Sequence, residues 1–329
     1  MIHSGDPTVG VLPEGVILRA ILDTLGPSAA PVGPGDDAAV LAVGDARVVA
    51  TTDTLVHGPD FRLAWSSAED LGFKSAAVNL ADVAAMGARP VALLVALAMP
   101  DDTRLSFVTG LAAGLRAACA ELAPGCAVEG GDLTVSDTLT IAVTALGSLD
   151  GRRPLLRSGA RTGDTIAVAG DLGPAAEGLA LLFDRFRDAE GAPLPIDRAQ
   201  LTPAESAALD AQLRPRPPME AAAHAAAAGA AALMDISDGL ALDARRMAEA
   251  SGVTIALDAS ALGDDPSRAL EAGEDHALLA AFSPGTDLGP FRAIGRVHDQ
   301  GAHAVLVDGV PYGGPGGWDP YRDWDLARG

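Results

Sequence analysis

Residues 66–99 read SSAEDLGFKSAAVNLADVAAMGARPVALLVALAM, and this one stretch holds a helix, its stop and a strand. Ser66 and Ser67 offer capping hydroxyls, and Glu69 and Asp70 suit the positive end of a helix dipole. The spacing predicts a helix running to Met86, stopped at Gly87 and again by Pro90. Residues 91–99 follow as an apolar run that suits a buried strand. Within the helix Asp82 stands among apolar neighbours, where a carboxylate needs a partner. Lys74 lies eight residues earlier, so both can share a face; a surface pair with Asp70 at i,i+4 is the competing assignment.

Outward from this unit, residues 14–25 read as a short amphipathic helix and 48–55 as a Val/Thr-rich strand. Residues 103–122 form a second long helix, Ala127 and Val128 lead into Glu129-Gly130-Gly131-Asp132, and 139–146 is another strand. The polar connection 151–163 marks a boundary near its start, dividing the chain into domains 1–148 and 149–329. Beyond it come a strand at 165–169, a helix at 175–186 and a loop rich in proline and charge at 188–218. An Ala-rich helix at 219–228, a strand entering Asp235 and a helix from about 240 to 250 follow. A strand at 253–258, a segment at 274–282 and a strand at 304–307 complete the pattern. Helices and strands mix in both halves, so the expected class is a two-domain α+β or α/β fold.

The chain has 329 residues and a formal charge of −21, with 49% hydrophobic residues, which describes a folded chain with ample core and not an acidic tail. The negative charge argues against nucleic acid and anionic lipid as partners. Every basic residue is Arg except Lys74, either a coding bias or a position that requires an ammonium. Cys119 and Cys126 belong to no CxxC or Cys/His cluster, so buried thiols are expected. The first ten residues lack a basic, apolar leader, and the apolar run at 91–99 is short of a membrane span, so a soluble cytoplasmic protein is expected.

No GxxxxGK[ST] loop and no kinase catalytic-loop motif occurs. What recurs is a set of acidic motifs set in apolar strand and helix sequence: Gly35-Asp36-Asp37, Thr51-Thr52-Asp53, Asn79-Leu80-Ala81-Asp82, Gly130-Gly131-Asp132, Asp235-Ile236-Ser237-Asp238-Gly239 and Gly273-Glu274-Asp275. Taken singly, such pairs are turn chemistry. Gathered together, two carboxylates 4 Å apart repel by about 4 kcal/mol at an effective dielectric near 20. Convergence therefore calls for divalent cations, and an oxygen-only donor set points to Mg²⁺ bridging to a nucleotide. Gly130 and Gly131 suit close approach of backbone to phosphate.

GDDAAV at 35–40, TTDTLV at 51–56, KSAAVNLADVAAMGA at 74–88, EGGD at 129–132, RSGARTGD at 157–164, MDISDGL at 234–240 and GED at 273–275 resemble, in the same order, the motifs of thiamine-monophosphate kinases. That family belongs to the superfamily of aminoimidazole-ribonucleotide synthetase, and the resemblance runs from about Gly35 to Trp318. It implies an N-terminal α+β domain whose sheet forms a homodimer, a C-terminal α/β domain, and ATP-dependent phosphorylation of thiamine monophosphate by direct transfer with several Mg²⁺ and no side-chain acid or base. By this resemblance Asp37, Thr51, Thr52, Asp53, Asp82, Asp132, Asp235 and Asp238 are metal ligands, and Gly131, Asp132, Arg157 and Ser237 are nucleotide contacts. Asp60, Glu274 and Trp318 are substrate contacts, a Trp face suiting a cationic thiazolium.

Two positions depart from the pattern. Family members tend to carry GxHF after the TD strand, whereas here Asp60 precedes Phe61 and His57 lies three residues earlier. The C-terminal Trp-Asp-His run is Trp318-Asp319-Pro320. A sister enzyme of the superfamily with another acceptor, or a non-catalytic Mg-nucleotide-binding relative, are the alternative readings.

Overall fold

The computed structural model describes residues 6–33, 39, 41–314, 316 and 317. Its first half runs α1 (Glu14–Leu25), β1 (Val48–Val56), α2 (Ala68–Ala85), β2 (Arg89–Met99), α3 (Leu105–Leu122), β3 (Ala127–Val135) and β4 (Thr140–Ser148). The four strands form one sheet in the order β1-β4-β2-β3, antiparallel except for the β2–β3 pair. Ser67 caps α2 through a capping box with Asp70, as the Ser and acid pattern predicts.

The sequence pattern of α2 is apolar or small on every side, and the helix is accordingly buried all round: each residue from Leu71 to Ala81 is shielded from solvent. One flank packs on α3, where Gly72 and Gly114 are required, since a Cβ on either would meet the facing backbone oxygen at 2.0 or 2.1 Å. Another flank covers β1, β4 and β2. The last turn enters the second half of the molecule. Ala84 and Ala85 share an apolar cluster with Leu233, Leu278 and Phe282, and burying a side chain such as Phe282 contributes about 1.5–3 kcal/mol. α2 is thus the shared core of both halves.

The second half contains β5 (Thr165–Ala169), α4 (Pro174–Arg185), α5 (Pro203–Leu213), α6 (Met219–Ala228), β6 (Ala232–Ile236), α7 (Leu240–Ser251), β7 (Val253–Leu257), α8 (Pro266–Glu271), β8 (Ala277–Phe282), β9 (Arg292–Asp299), β10 (Val305–Val307) and β11 (Val310–Pro311). Its seven-stranded sheet has the order β11-β10-β7-β9-β5-β8-β6. β6 and β8 are buried along their whole length because α7 covers one face while α6 and the end of α2 cover the other.

Several elements escape the sequence reading, α5 and β9 the largest of them. α5 forms inside the expected loop, started by a Thr202–Glu205 capping box and held by Leu209 and Leu213 against Leu182 of α4. The prolines on either side masked it. β9 lies between β7 and β5 although it carries Arg292, Arg296, His298 and Asp299; only Ile294, Gly295 and Val297 face inward. Cys119 and Cys126 are buried free thiols, as expected. Among the described residues one helix, α3, is long and apolar enough to cross a membrane by length and composition. Its Val108, Leu111 and Leu115 are buried in the first core instead.

Candidate functional site

Alternation along β1 sends Thr51 and Asp53 toward α2 and exposes Ala50, Thr52 and Thr54 on the far face of the sheet. Thr51 Oγ1 donates to Asp82 Oδ2 at 2.8 Å. One turn before Asp82, Asn79 accepts from the Asp53 amide at 3.1 Å and donates to the Ser75 carbonyl at 2.9 Å. From the second half, β6 delivers Asp235 at its end, and the following turn delivers Ser237 and Asp238. His276 Nδ1 lies 2.9 Å from Asp235 Oδ2, whereas Asp235 Oδ1 is buried and has no hydrogen-bond partner among the described residues.

The carboxyl groups of Asp53, Asp82, Asp235 and Asp238 lie within reach of one another's charge. Burial pushes the Asp82 carboxyl up to about 6, and the neighbouring Asp235 and Asp53 add to the shift. Asp53 is raised by burial and by Asp235 and Asp238, with His276 opposing. Asp53, Asp82, Asp235 and Asp238 therefore converge from both halves. Asp238 is also held by Arg246 at 2.6 Å, and Arg246 reaches Asp243 at 2.7 Å. Burial pushes Asp243 up to about 6 despite that bond. Among the described residues no three His, Cys, Asp or Glu side chains close around a single point. The all-oxygen donors, mutually repelling carboxylates and orphaned Asp235 Oδ1 fit Mg²⁺, which completes its shell with water and phosphate.

Other expected residues stand apart. Thr52 Oγ1 donates to the Val143 carbonyl and accepts from Thr144 on the outward face. Gly131 and Asp132 are on β3, three inter-strand steps from β1, about 14 Å away. They line a cavity of about 700 Å³ whose walls are mostly apolar side chains of α1, β2 and α3. Gly131 is needed for packing: a Cβ there would lie 2.0 Å from the Val95 oxygen of β2. Glu129, buried in the same wall, accepts a 2.5 Å bond from Ser28. Arg157 is exposed in a 3-10 turn whose preceding carbonyl, that of Leu156, meets Leu233 near the start of β6, so it sits at the opposite end of that strand from Asp235. Asp37 and Trp318 lie outside the described residues.

Of the residues expected to contact the acceptor, Asp60 accepts from the Val56 amide at 2.7 Å, and burial raises its carboxyl, with that bond and Lys74 opposing and Glu274 adding. Glu274 has a left-handed backbone (φ 69°) and its amide bonds Ser237 O at 2.8 Å. Lys74 does not pair with Asp70, which bonds Ser67 and Arg214; it bonds Glu274 across the two halves at 2.5 Å. The neighbouring Asp275 caps the start of α4. Sequence reasoning missed Gln212, Asp243, Arg246 and His276. Only the adjacency of His276 to the Gly273-Glu274-Asp275 motif could have signalled one of them.

Residues 35–149 match the family model "AIR synthase related protein, N-terminal domain", and residues 161–288 match its C-terminal domain counterpart. The thiamine-monophosphate kinase of Mycobacterium tuberculosis is 41% identical over 336 residues, covering 97% of this chain and 95% of that protein. The thiamine-monophosphate kinase of Corynebacterium glutamicum is 42% identical over 308 residues, covering 88% of each. The solved thiamine-monophosphate kinase of Stenotrophomonas maltophilia K279a superposes with a TM-score of 0.74 at 32% identity, covering 94% of this chain and 100% of that one. The structure described as AaThiL complexed with AMPPCP and TMP gives 0.71 at 32%, covering 93% and 96%. The hydrogenase maturation protein HypE of E. coli, at 18% identity and a TM-score of 0.61, shares the fold. With its two domain matches and its 41% identity along nearly the whole length, the chain belongs to the AIR synthase related family, among the thiamine-monophosphate kinases.

Proposed function

We propose that this chain transfers the γ-phosphoryl group of ATP to thiamine monophosphate, giving thiamine diphosphate and ADP. The observation that carries the reading is the convergence of Asp53, Asp82, Asp235 and Asp238 from two domains, with a buried, unpartnered oxygen on Asp235. An oxygen of the acceptor phosphate attacks the γ-phosphorus in line, and the bond to the β–γ bridging oxygen breaks. The attacking oxygen of the acceptor phosphate is already anionic near neutral pH, so the protein needs no side-chain base. Bound Mg²⁺ supplies charge neutralisation for the transferring group.

The chain's own residues position the reactants. Asp53, Asp82, Asp235 and Asp238 hold the ions, Asn79 fixes the backbone of Asp53, and His276 orients Asp235. The nucleotide base occupies the apolar cavity bordered by Gly131 and Asp132. Ser237 stands between the acid cluster and Glu274, where the two substrates meet. Arg157 lies outside this arrangement within one chain.

Domains 1–148 and 149–329 divide the work, the first taking metal and nucleotide, the second adding Asp235, Asp238 and the acceptor contact Glu274. A second copy of the chain covers the outward face of the first sheet, where Val48 is 50% exposed and Ala50, Thr52 and Thr54 are open. The substrates and the charge of −21 suit the cytoplasm, away from nucleic acid and anionic lipid. The test is formation of ADP and thiamine diphosphate from ATP and thiamine monophosphate with and without Mg²⁺. Metal-dependent ATP binding without product overturns the reading.

A further inference from the structure

Lys74 is the only lysine of the chain. Its side chain is 8% exposed, in the fully buried stretch of α2. Nζ lies 2.5 Å from Glu274 Oε2, and Gln212 Nε2 of α5 donates to the same oxygen at 2.9 Å. The Glu274 amide is held by Ser237. Both side-chain donors therefore take one oxygen, and 45% of the Glu274 side chain stays open. An ammonium is a compact point charge that engages a single carboxylate oxygen, whereas the longer, planar fork of an arginine favours engaging both. Lysine thus leaves Oε1 available to a ligand.

We propose that Lys74 is a positioning residue that holds Glu274 by one oxygen and so presents the other to the ring of the acceptor. This deepens the kinase reading above and rests on it for the identity of the acceptor.

The test uses the full chain with Lys74→Arg, Glu274→Gln and Asp53→Asn. Steady-state kinetics should show Lys74→Arg raising KM for thiamine monophosphate about 10- to 100-fold, the range for losing a charged hydrogen bond. KM for ATP should stay unchanged. The preference of the wild type for thiamine monophosphate over its thiophene analogue, which lacks the ring charge, should shrink. A merely structural role would move both KM values and the melting temperature together. Independently of activity, an amine-acylating reagent followed by peptide mass mapping should modify Lys74 slowly in the wild type and in Asp53→Asn, and faster in Glu274→Gln. Equal labelling in all three overturns the pair. An unchanged KM for thiamine monophosphate in Lys74→Arg overturns the positioning role. A wild type that protects Lys74 yet makes no thiamine diphosphate overturns the kinase reading and the assignment of the acceptor, leaving the pair intact.

Discussion

His276 Nδ1 lies 2.9 Å from Asp235 Oδ2, joining the turn after α8 to the end of β6, while the other oxygen of Asp235 is buried without a partner. Burial works against a charged His276, but the carboxylates of Asp235 and Glu274 outweigh it and hold the imidazole above its ordinary value. The pair stabilises the fold while His276 is protonated and is lost as pH rises through its raised pKa. His276→Ala leaves Asp235 buried and unpaired and should cost about 3 kcal/mol, read as a fall in melting temperature. Added Mg²⁺ should restore part of it, since a cation can replace the imidazolium. Unchanged stability in His276→Ala would contradict the pairing.

The acid cluster predicts a pH slope of the same sign at lower pH. Asp82 and Asp243 are both raised from 3.8 to about 6, so between about pH 4 and 6 the native chain holds more protons than the unfolded one. Stability without metal should therefore fall as pH rises through this window, by up to about 3 kcal/mol per group. Mg²⁺ should flatten the slope, and Asp82→Asn should remove its own share. Melting curves at stepped pH, with and without Mg²⁺, decide this; a metal-free slope of the opposite sign would refute it.

Asp53→Asn should abolish most turnover, by at least about 100-fold, because the charge that positions the transferring group is lost. Its circular dichroism should remain that of the wild type. Asp132→Asn should act instead mainly through KM for ATP, because Asp132 borders the cavity three inter-strand steps from Asp53. Equal kinetic profiles in the two variants would show that both serve one ion.

Gly131→Ala places a Cβ 2.0 Å from the Val95 oxygen and should destabilise the chain by about 1–3 kcal/mol, whether or not nucleotide is present. Gly130→Ala meets only a Leu94 methyl at 3.2 Å and should be tolerated. If instead Gly131→Ala melts normally and loses only ATP binding, the phosphate role expected from the sequence is correct.

Ala50→Arg sets a charge on the outward sheet face, away from Asp53 and Asp82. Sedimentation velocity should report a dimer for the wild type and a monomer for the variant. A monomeric wild type refutes the proposed assembly.

The sequence by itself determined the α2 helix, its Ser67 cap, its stop at Gly87 and the apolar strand that follows, because these depend on local propensity and spacing. It also determined the family, since seven motifs in one order identify it without any contact being known, and it singled out Lys74 as unusual. It did not reveal α5 or β9, whose prolines and charges hide elements that only packing against α4, β5 and β7 sustains. Tertiary structure alone decided that Lys74 meets Glu274, 200 residues away, and not Asp70 on its own helix. It alone decided that His276 supports Asp235, and that Asp132 stands across the sheet from Asp53. The physical reason is the burial of α2 between two domains: a helix enclosed on all sides finds its charge partners across the interface, where sequence spacing carries no information.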